Sequence, residues 1–424
     1  MFLPNMPQEI KDIILLHLDS RDILELTEFA YSEYAWLRKK DKYLKSAFIH
    51  KNDIGIKYLI DHGANVNKAL FHSVEYGNLW ATEYSIEKCA NVNSNDILYI
   101  ATKKGYLEIV KCLVKHGAII HADESDALHI AVIMGHIEIV KWLIDNGADI
   151  HNDTDYALYI AVEKNHIEIV RYLVTHGADI HTWNDNALQY AANKGYLEIV
   201  ECLVANSANV RVANDYPLRI SVEHGHLGVI KCLIENGANI HVDDDHALCV
   251  SAEFGRLDII EYLINNGADI HADDDAALRY SIINGHLIVV EYLVENGANV
   301  LDNIDTLLNY SIKNDHLEIL TYLINLTKCD TNTSVNSALL FSIENNRLDI
   351  ILYLIENYDV DIHADNDEVL RCAIEHGHIV IVRYLLEHGI DIHSSINNYV
   401  LRYAVDCGHV NIIKYLLENG ALWY

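Results

Sequence analysis

Residues Asp245–Gly267, DHALCVSAEFGRLDIIEYLINNG, hold two short apolar patterns divided by one turn. Leu248, Ser251 and Ala252 fall at helical spacing before Phe254-Gly255-Arg256, and Leu257, Ile259, Ile260, Leu263 and Ile264 do so after it. The stretch therefore predicts two antiparallel helices, with no alternating run that would make a strand. Working outward, equivalent turn residues recur at Gly105, Gly135, Asn165, Gly195, Gly225, Gly255, Gly285 and Asp315, each 30 residues after the last. A helix pair of this size cannot bury its apolar face alone, so neighbouring units must stack. Function is then expected on an extended surface rather than in a central pocket.

Three columns of residues accompany the period. Leucine stands seven residues before each turn, from Leu44 and Leu70 through Leu128, Leu158, Leu248 and Leu278 to Leu401, where it would anchor the first helix in a shared core. Three residues later comes a small side chain, such as Ala131, Ala161, Ser221, Ser251 or Ser281, which lets helices of adjacent units approach to about 8–10 Å. Three residues before the leucine stands Asp155, Asp185, Asp215, Asp245, Asp275 or an equivalent Asn or Ser, all expected as N-caps of the first helix. The second helix usually closes on Asn-Gly-Ala or His-Gly-Ala, as at Asn266-Gly267-Ala268 and His176-Gly177-Ala178, where glycine supplies a left-handed C-terminal residue.

These residues resemble the ankyrin repeat: Gly225-His226-Leu227, Leu107-Glu108-Ile109-Val110, Asn236-Gly237-Ala238-Asn239-Ile240, and Tyr216-Pro217-Leu218 where the family has Thr-Pro-Leu-His. The resemblance covers residues 41–424, about thirteen units, and implies an all-α, ankyrin-type helical solenoid. The family's unit is about 33 residues; the missing residues here fall between the second helix and the next first helix, so shortened inter-repeat loops are expected. The histidine of the family's tetrapeptide survives only at His129, with Tyr159, Gln189, Arg219, Cys249, Arg279 and Asn309 in its other places. Thr327 to Asn336 is the expected site of a loop distortion.

Residues 1–40 lie outside the repeat. Pro7-Gln8-Glu9-Ile10, Ile14, Leu18-Asp19, Arg21-Asp22-Ile23-Leu24 and Leu26 resemble an F-box, which implies docking on the adaptor subunit of a cullin-type ubiquitin ligase through Pro7, Ile10, Ile14 and Leu18. A helical segment that only caps the solenoid would show the same pattern. Ankyrin proteins of large DNA viruses look similar, and the scarcity of proline (3) beside abundant Ile, Asn, Asp and Tyr suits an AT-rich genome.

Acidic residues outnumber basic ones by 62 to 31, a net charge of −31. That balance argues against nucleic acid and anionic membrane as partners, since both need clustered Lys and Arg. It leaves two readings open, solubility with self-repulsion between units, or an acidic groove for a basic partner. No apolar run is long enough for a signal peptide or a membrane span. The expectation is a monomeric intracellular protein, in a host cytoplasm if viral. None of the eight cysteines forms a Cys-x-x-Cys pair, and Cys112, Cys202 and Cys232 occupy the place of Trp142, Tyr172 and Tyr262, so they read as reduced packing residues.

The 25 histidines form two main columns, one just after the turn (His136, His166, His226, His286, His316, His378, His409) and one in the loops (His121, His151, His181, His241, His271, His363, His393). Members of a column are one unit apart, roughly 10 Å, too far for shared coordination at ~2 Å bonds. Structural hydrogen bonding is expected, with no metal and no cofactor. Phosphate-binding loop, nucleophile elbow and His-Glu-x-x-His motifs are absent, so no catalytic residue is assigned and an enzyme is not expected. The function read from the sequence is a scaffold for an unidentified protein partner, bound through loop tips and the ends of first helices. Ile133, Met134, Trp183, Phe254, Ile283 and Asn284 are the candidate contacts, because large or variable residues interrupt the repeat there.

Overall fold

The computed structural model describes residues 41, 43–93, 96–120, 127–326, 331–358, 360, 362, 364–390, 392 and 400–421. Among these residues every regular element is a helix. The chain forms two compact units, divided in sequence between Val212 and Ala213. In each of them, short helices pair in antiparallel fashion and pair packs on pair.

In the first unit, Tyr156–Glu163 and Ile167–Thr175 make one such pair; in the second, His246–Glu253 and Leu257–Asn265 make another. All thirteen column leucines are buried, from Leu44 and Leu70 to Leu370 and Leu401. Shortening one of them to alanine should cost about 2–5 kcal/mol, the usual range for a filled core site. The small column is buried as well, and its serines stay satisfied by donating to their own helices: Ser221 to the Leu218 carbonyl and Ser251 to the Ala247 carbonyl. From the second helix, Ile259, Ile260 and Leu263 face the same core.

Both helices of a pair end in the same way. Gly267 (φ +97°) lets its own N–H reach the Ile264 carbonyl at 3.0 Å and the Ala268 N–H reach Leu263 at 3.0 Å, a Schellman pair that satisfies two terminal carbonyls. At the inner turn, Gly255 N–H bonds Ala252 and Arg256 N–H bonds Ser251. The residue before the outer glycine adds a third bond. Asn266 Nδ2 donates to the Tyr262 carbonyl at 2.8 Å, and His176 Nδ1 donates to that of Tyr172 at 2.7 Å. Asn and His alternate here because each offers one N–H at the same reach, which makes a third histidine column (His62, His116, His176, His388) invisible to spacing alone.

The expected N-caps need correction. Asn52, Asn65 and Asn78 cap their helices by side-chain bonds, but they stand outside the expected column, whose Asn67 lies inside the helix Val66–Glu75. Asp155 and Asp245 precede theirs in the left-handed conformation and make no side-chain cap bond. They close a left-handed turn of three consecutive non-glycine residues, 153–155 and 243–245, repeated at 183–185, 213–215 and 273–275 with φ between +49° and +62°. These turns are the shortened loops. Pro217, within the helix Val212–His224, follows such a turn and so falls in a first helical turn, where its missing N–H costs nothing. The expected distortion at Thr327–Asn336 is also corrected in part: Thr331–Glu344 is helical and carries Leu339, while 327–330 lie outside the described residues. The N-terminal segment with Pro7, Ile10, Ile14 and Leu18 lies outside them too.

Candidate partner-binding face

Two sets of side-chain bonds hold successive helix pairs in register and so fix the face that they present. The first runs through the loops. In the second unit, Asp215 accepts from the Asn239 N–H (2.7 Å), Asn239 from the His241 N–H (3.2 Å), and His241 Nδ1 donates to Asp245 (3.1 Å). Asp245 then accepts from Asp269 N–H, Asp269 from His271 N–H, His271 donates to Asp275, and Asp275 accepts from Asn299 N–H. The first unit repeats this from Asp155 through Asp179, His181 and Asp185 to Asn209. Asp155, Asp185, Asp215, Asp245 and Asp275 are each therefore a staple to the following loop. The loop histidines hold their aspartates through Nδ1, which makes Nδ1–H the proton-bearing tautomer wherever the aspartate is ionised.

The second set starts at the inner turns. His286 Nε2 donates to the Glu253 carbonyl at 2.9 Å, His316 to Ile283 at 2.9 Å, and His136 to Lys103 at 3.2 Å. Arg256 does the same to Val222, and Arg347 to Ile312. Lys103, Glu253 and Ile283 are the last residues of first helices, where carbonyls lack a helical partner, whereas the Val222 and Ile312 carbonyls lie in the last turn and also take the Gly225 and Asp315 N–H. The ring lies so close to the preceding turn that a Cβ on Gly255 would sit 2.5 Å from His286 Nδ1. Glycine at the inner turn thus answers to a neighbour's imidazole as well as to its own φ of +69°. With both columns committed to these bonds, no three His, Cys, Asp or Glu among the described residues gather closely enough to hold a metal ion.

The candidate contact residues stand on this frame as follows. In the first unit, Ile133 and Met134 end the helix Ala127–Ile133 and are exposed, Met134 by 43%. Trp183 is 48% exposed in the left-handed turn. Its ring centroid lies 5.7 Å from that of Tyr159 and 6.1 Å from that of Tyr156. Tyr156 meets His129 edge-on at 5.4 Å, and Tyr159 meets Tyr190 at 5.8 Å. Sequence reasoning singled out Trp183 but missed the tyrosines, which occupy positions where the repeat varies and need a neighbour to acquire meaning. The recess beside Tyr159 and Trp183 has room for about 10 Å³, roughly one water molecule, so it cannot enclose a small-molecule ligand.

In the second unit, Phe254 is 51% exposed with the Arg256 guanidinium 4.8 Å from its ring centre. Ile283 is only half-buried, and its carbonyl takes the His316 bond. Asn284 is exposed, with its amide donated to Tyr280. Arg219 pairs with Asp243 at 3.3 Å and Arg279 with Asp273 at 3.3 Å, so acidic loop tips here have basic neighbours.

Burial lifts the thiol pKa of Cys249 to about 11 and that of Cys372 to about 12, with nearby carboxylates adding to both. Neither supplies thiolate near neutral pH.

The family described as "Ankyrin repeats (3 copies)" matches residues 70–154, 150–214, 190–274, 218–304, 299–366 and 339–422. Among solved structures, the crystal structure of the human ASB11 ankyrin repeat domain is 24% identical over 46% of this chain and 98% of its own, with a TM-score of 0.41. No curated protein matches the chain.

Proposed function

This chain belongs to the ankyrin-repeat family, whose members mediate protein–protein interaction, and from that premise we propose that it is a non-enzymatic scaffold that captures a protein partner. The contact surface is the loop tips and first-helix ends. One observation carries this: the apolar columns of the repeat are buried, whereas Ile133, Met134, Trp183 and Phe254 are large, apolar and exposed at positions where the repeat varies. Exposed aromatic and sulfur-bearing side chains of this kind are the usual anchors of a binding surface. No helix among the described residues is long and apolar enough to cross a membrane, which agrees with a partner met in solution.

Affinity capture from the native cell tests the reading. Trp183→Ala and Phe254→Ala should each weaken recovery of the partner while leaving the melting temperature unchanged; undiminished recovery removes those residues from the surface. A second reading makes the scaffold a substrate receptor of a cullin-type ubiquitin ligase. The pattern of Pro7, Ile10, Ile14 and Leu18 supports it. Ile14→Asp should then abolish recovery of the ligase adaptor without affecting the partner, and adaptor recovered equally with both forms removes the ligase role.

A further inference from the structure

We propose that Tyr156, Tyr159 and Trp183 form a seat for an arginine side chain presented by a basic segment of the protein partner. The inference rests on the scaffold reading and names the chemistry recognised on one part of its surface.

Three observations converge on it. The first is which rings already hold a cation. In the first unit, Lys103 Nζ lies 5.4 Å from the Tyr99 ring centre and Lys194 Nζ 5.6 Å from that of Tyr190. The second unit places Arg219 over Tyr216 and Arg256 over Phe254. The chain's own Lys and Arg thus repeatedly cover aromatic faces on its first helices and inner turns. Among the described residues, no Lys or Arg covers Tyr156, Tyr159 or Trp183.

The second observation is the position of the indole. Trp183 has φ +50°, in a turn whose equivalent places hold Asp153, Ala213, Asp243 and Asp273. A large side chain has no backbone reason to occupy a left-handed position, which costs roughly 1–2 kcal/mol for an ordinary residue. Its rings, by contrast, have a geometric reason. Tyr156 and Tyr159 stack on each other, 18° apart in plane, and Trp183 stands across them at 73° to Tyr159 and 59° to Tyr156, so the indole and the tyrosine pair form a corner.

The third is charge. Asp155 and Asp179 line the recess beside Tyr159 and Trp183. Burial and then the Glu163 charge hold the Tyr159 phenol above its usual range, although Glu163 is itself paired with Lys164 at 2.8 Å, so the recess aspartates supply the charge argument. A corner of exposed aromatic rings with carboxylates nearby attracts a guanidinium twice over, by ring quadrupole and by charge, and its flat shape suits stacking. An acidic or purely apolar segment would gain only the contact area.

The test uses the full chain and a short fluorescein-labelled peptide with a central pair of arginines among glycine and leucine, against the same peptide with citrulline in their place. Citrulline keeps the shape and removes the charge. Fluorescence anisotropy should show the arginine peptide binding about tenfold tighter or more, the scale of a partly desolvated cation–π contact. The variant Tyr159→Gln/Trp183→Ala should lose most of that preference, keeping only the part that generic attraction supplies. It installs the residues of sister units, Gln189 and Ala213, and leaves the net charge unchanged, so generic attraction to an acidic chain persists in it. Trp183→Phe, which keeps a ring, should retain most of the preference. The proposal is overturned if arginine and citrulline peptides bind alike, or if the double variant binds the arginine peptide as wild type does. Should that happen while Phe254→Ala still weakens partner capture, the scaffold stands and only the arginine seat falls.

Discussion

Asp215 is 1% exposed, and its carboxylate receives the Asn239 N–H at 2.7 Å. Asp215→Ala removes the acceptor and leaves a loop amide without its partner, which should cost about 1–3 kcal/mol in urea unfolding. Asp215→Asn should cost less than half as much, because Asn67 does the same work for the Asn91 N–H at 2.8 Å. Equal losses from the two would mean that the charge, not the acceptor, matters. The aspartate column was plain in the sequence, yet its role was not. Asp or Asn just before a helix serves equally well as a cap or as a left-handed residue with its side chain turned outward, and the backbone dihedral that decides is not written in residue type. The inner glycines carry a similar hidden term. Gly255→Ala brings a Cβ against His286, so in a double-mutant cycle Gly255→Ala should cost less in a His286→Ala background than in wild type, by about 1 kcal/mol. Strict additivity would assign the whole cost to the backbone.

At the scale of the element, the helix pairs, their buried leucines and the short loops were all legible, because a period of 30 residues repeats the same signal many times over. The left-handed turns were not legible, and they hold ten of the chain's 62 acidic residues. Thr154, Trp183 and Ala213 aside, every residue of the five turns is Asp or Asn, the side chains that tolerate this conformation by local hydrogen bonding. The acid in those loops therefore has a backbone cause, and neither solubility nor a basic partner is needed to explain it. Ala213 (φ +51°) lacks that compensation. Ala213→Asn should raise stability by about 0.5–1 kcal/mol, since αL costs alanine roughly 1–2 kcal/mol and asparagine less. A drop in the urea midpoint would show that the turn is held by something other than its own dihedral preference. The candidate face was half legible by the same logic: Trp183 broke the repeat by itself, whereas Tyr156 and Tyr159 mattered only once folding set three rings together.

For the molecule as a whole, the titrating groups set the direction of its pH response. Burial raises the phenol pKa of Tyr58, Tyr172, Tyr262, Tyr292 and Tyr322, and the thiol pKa of Cys249 to about 11 and of Cys372 to about 12. An acid whose folded pKa is raised keeps its proton more tightly when folded, so its contribution to stability is complete below the unfolded pKa, about 8.5 for thiol and about 10 for phenol. It is then lost as pH climbs through the folded value. On the acid side, Lys68, Lys88 and Arg347 hold Asp41, Asp61 and Asp349 below the usual carboxylate range, which places that loss as pH falls below about 4. Stability should therefore be flat from about pH 6 to 8 and fall steeply above about pH 9. The chain's charge of −31 grows further as these groups ionise, so self-repulsion pushes in the same direction. The two causes separate in salt: about 1 M sodium chloride screens surface repulsion to a few ångströms but acts far less on the desolvation of half-buried phenols and of the Cys249 and Cys372 thiols. Urea midpoints at about pH 8 and about pH 10.5, with and without that salt, should show an alkaline loss that salt only partly restores. Full restoration would place the whole effect in surface charge. Iodoacetamide labelling of the folded protein at about pH 8 gives an independent reading, since Cys249 and Cys372 should stay unmodified while exposed Cys89 reacts.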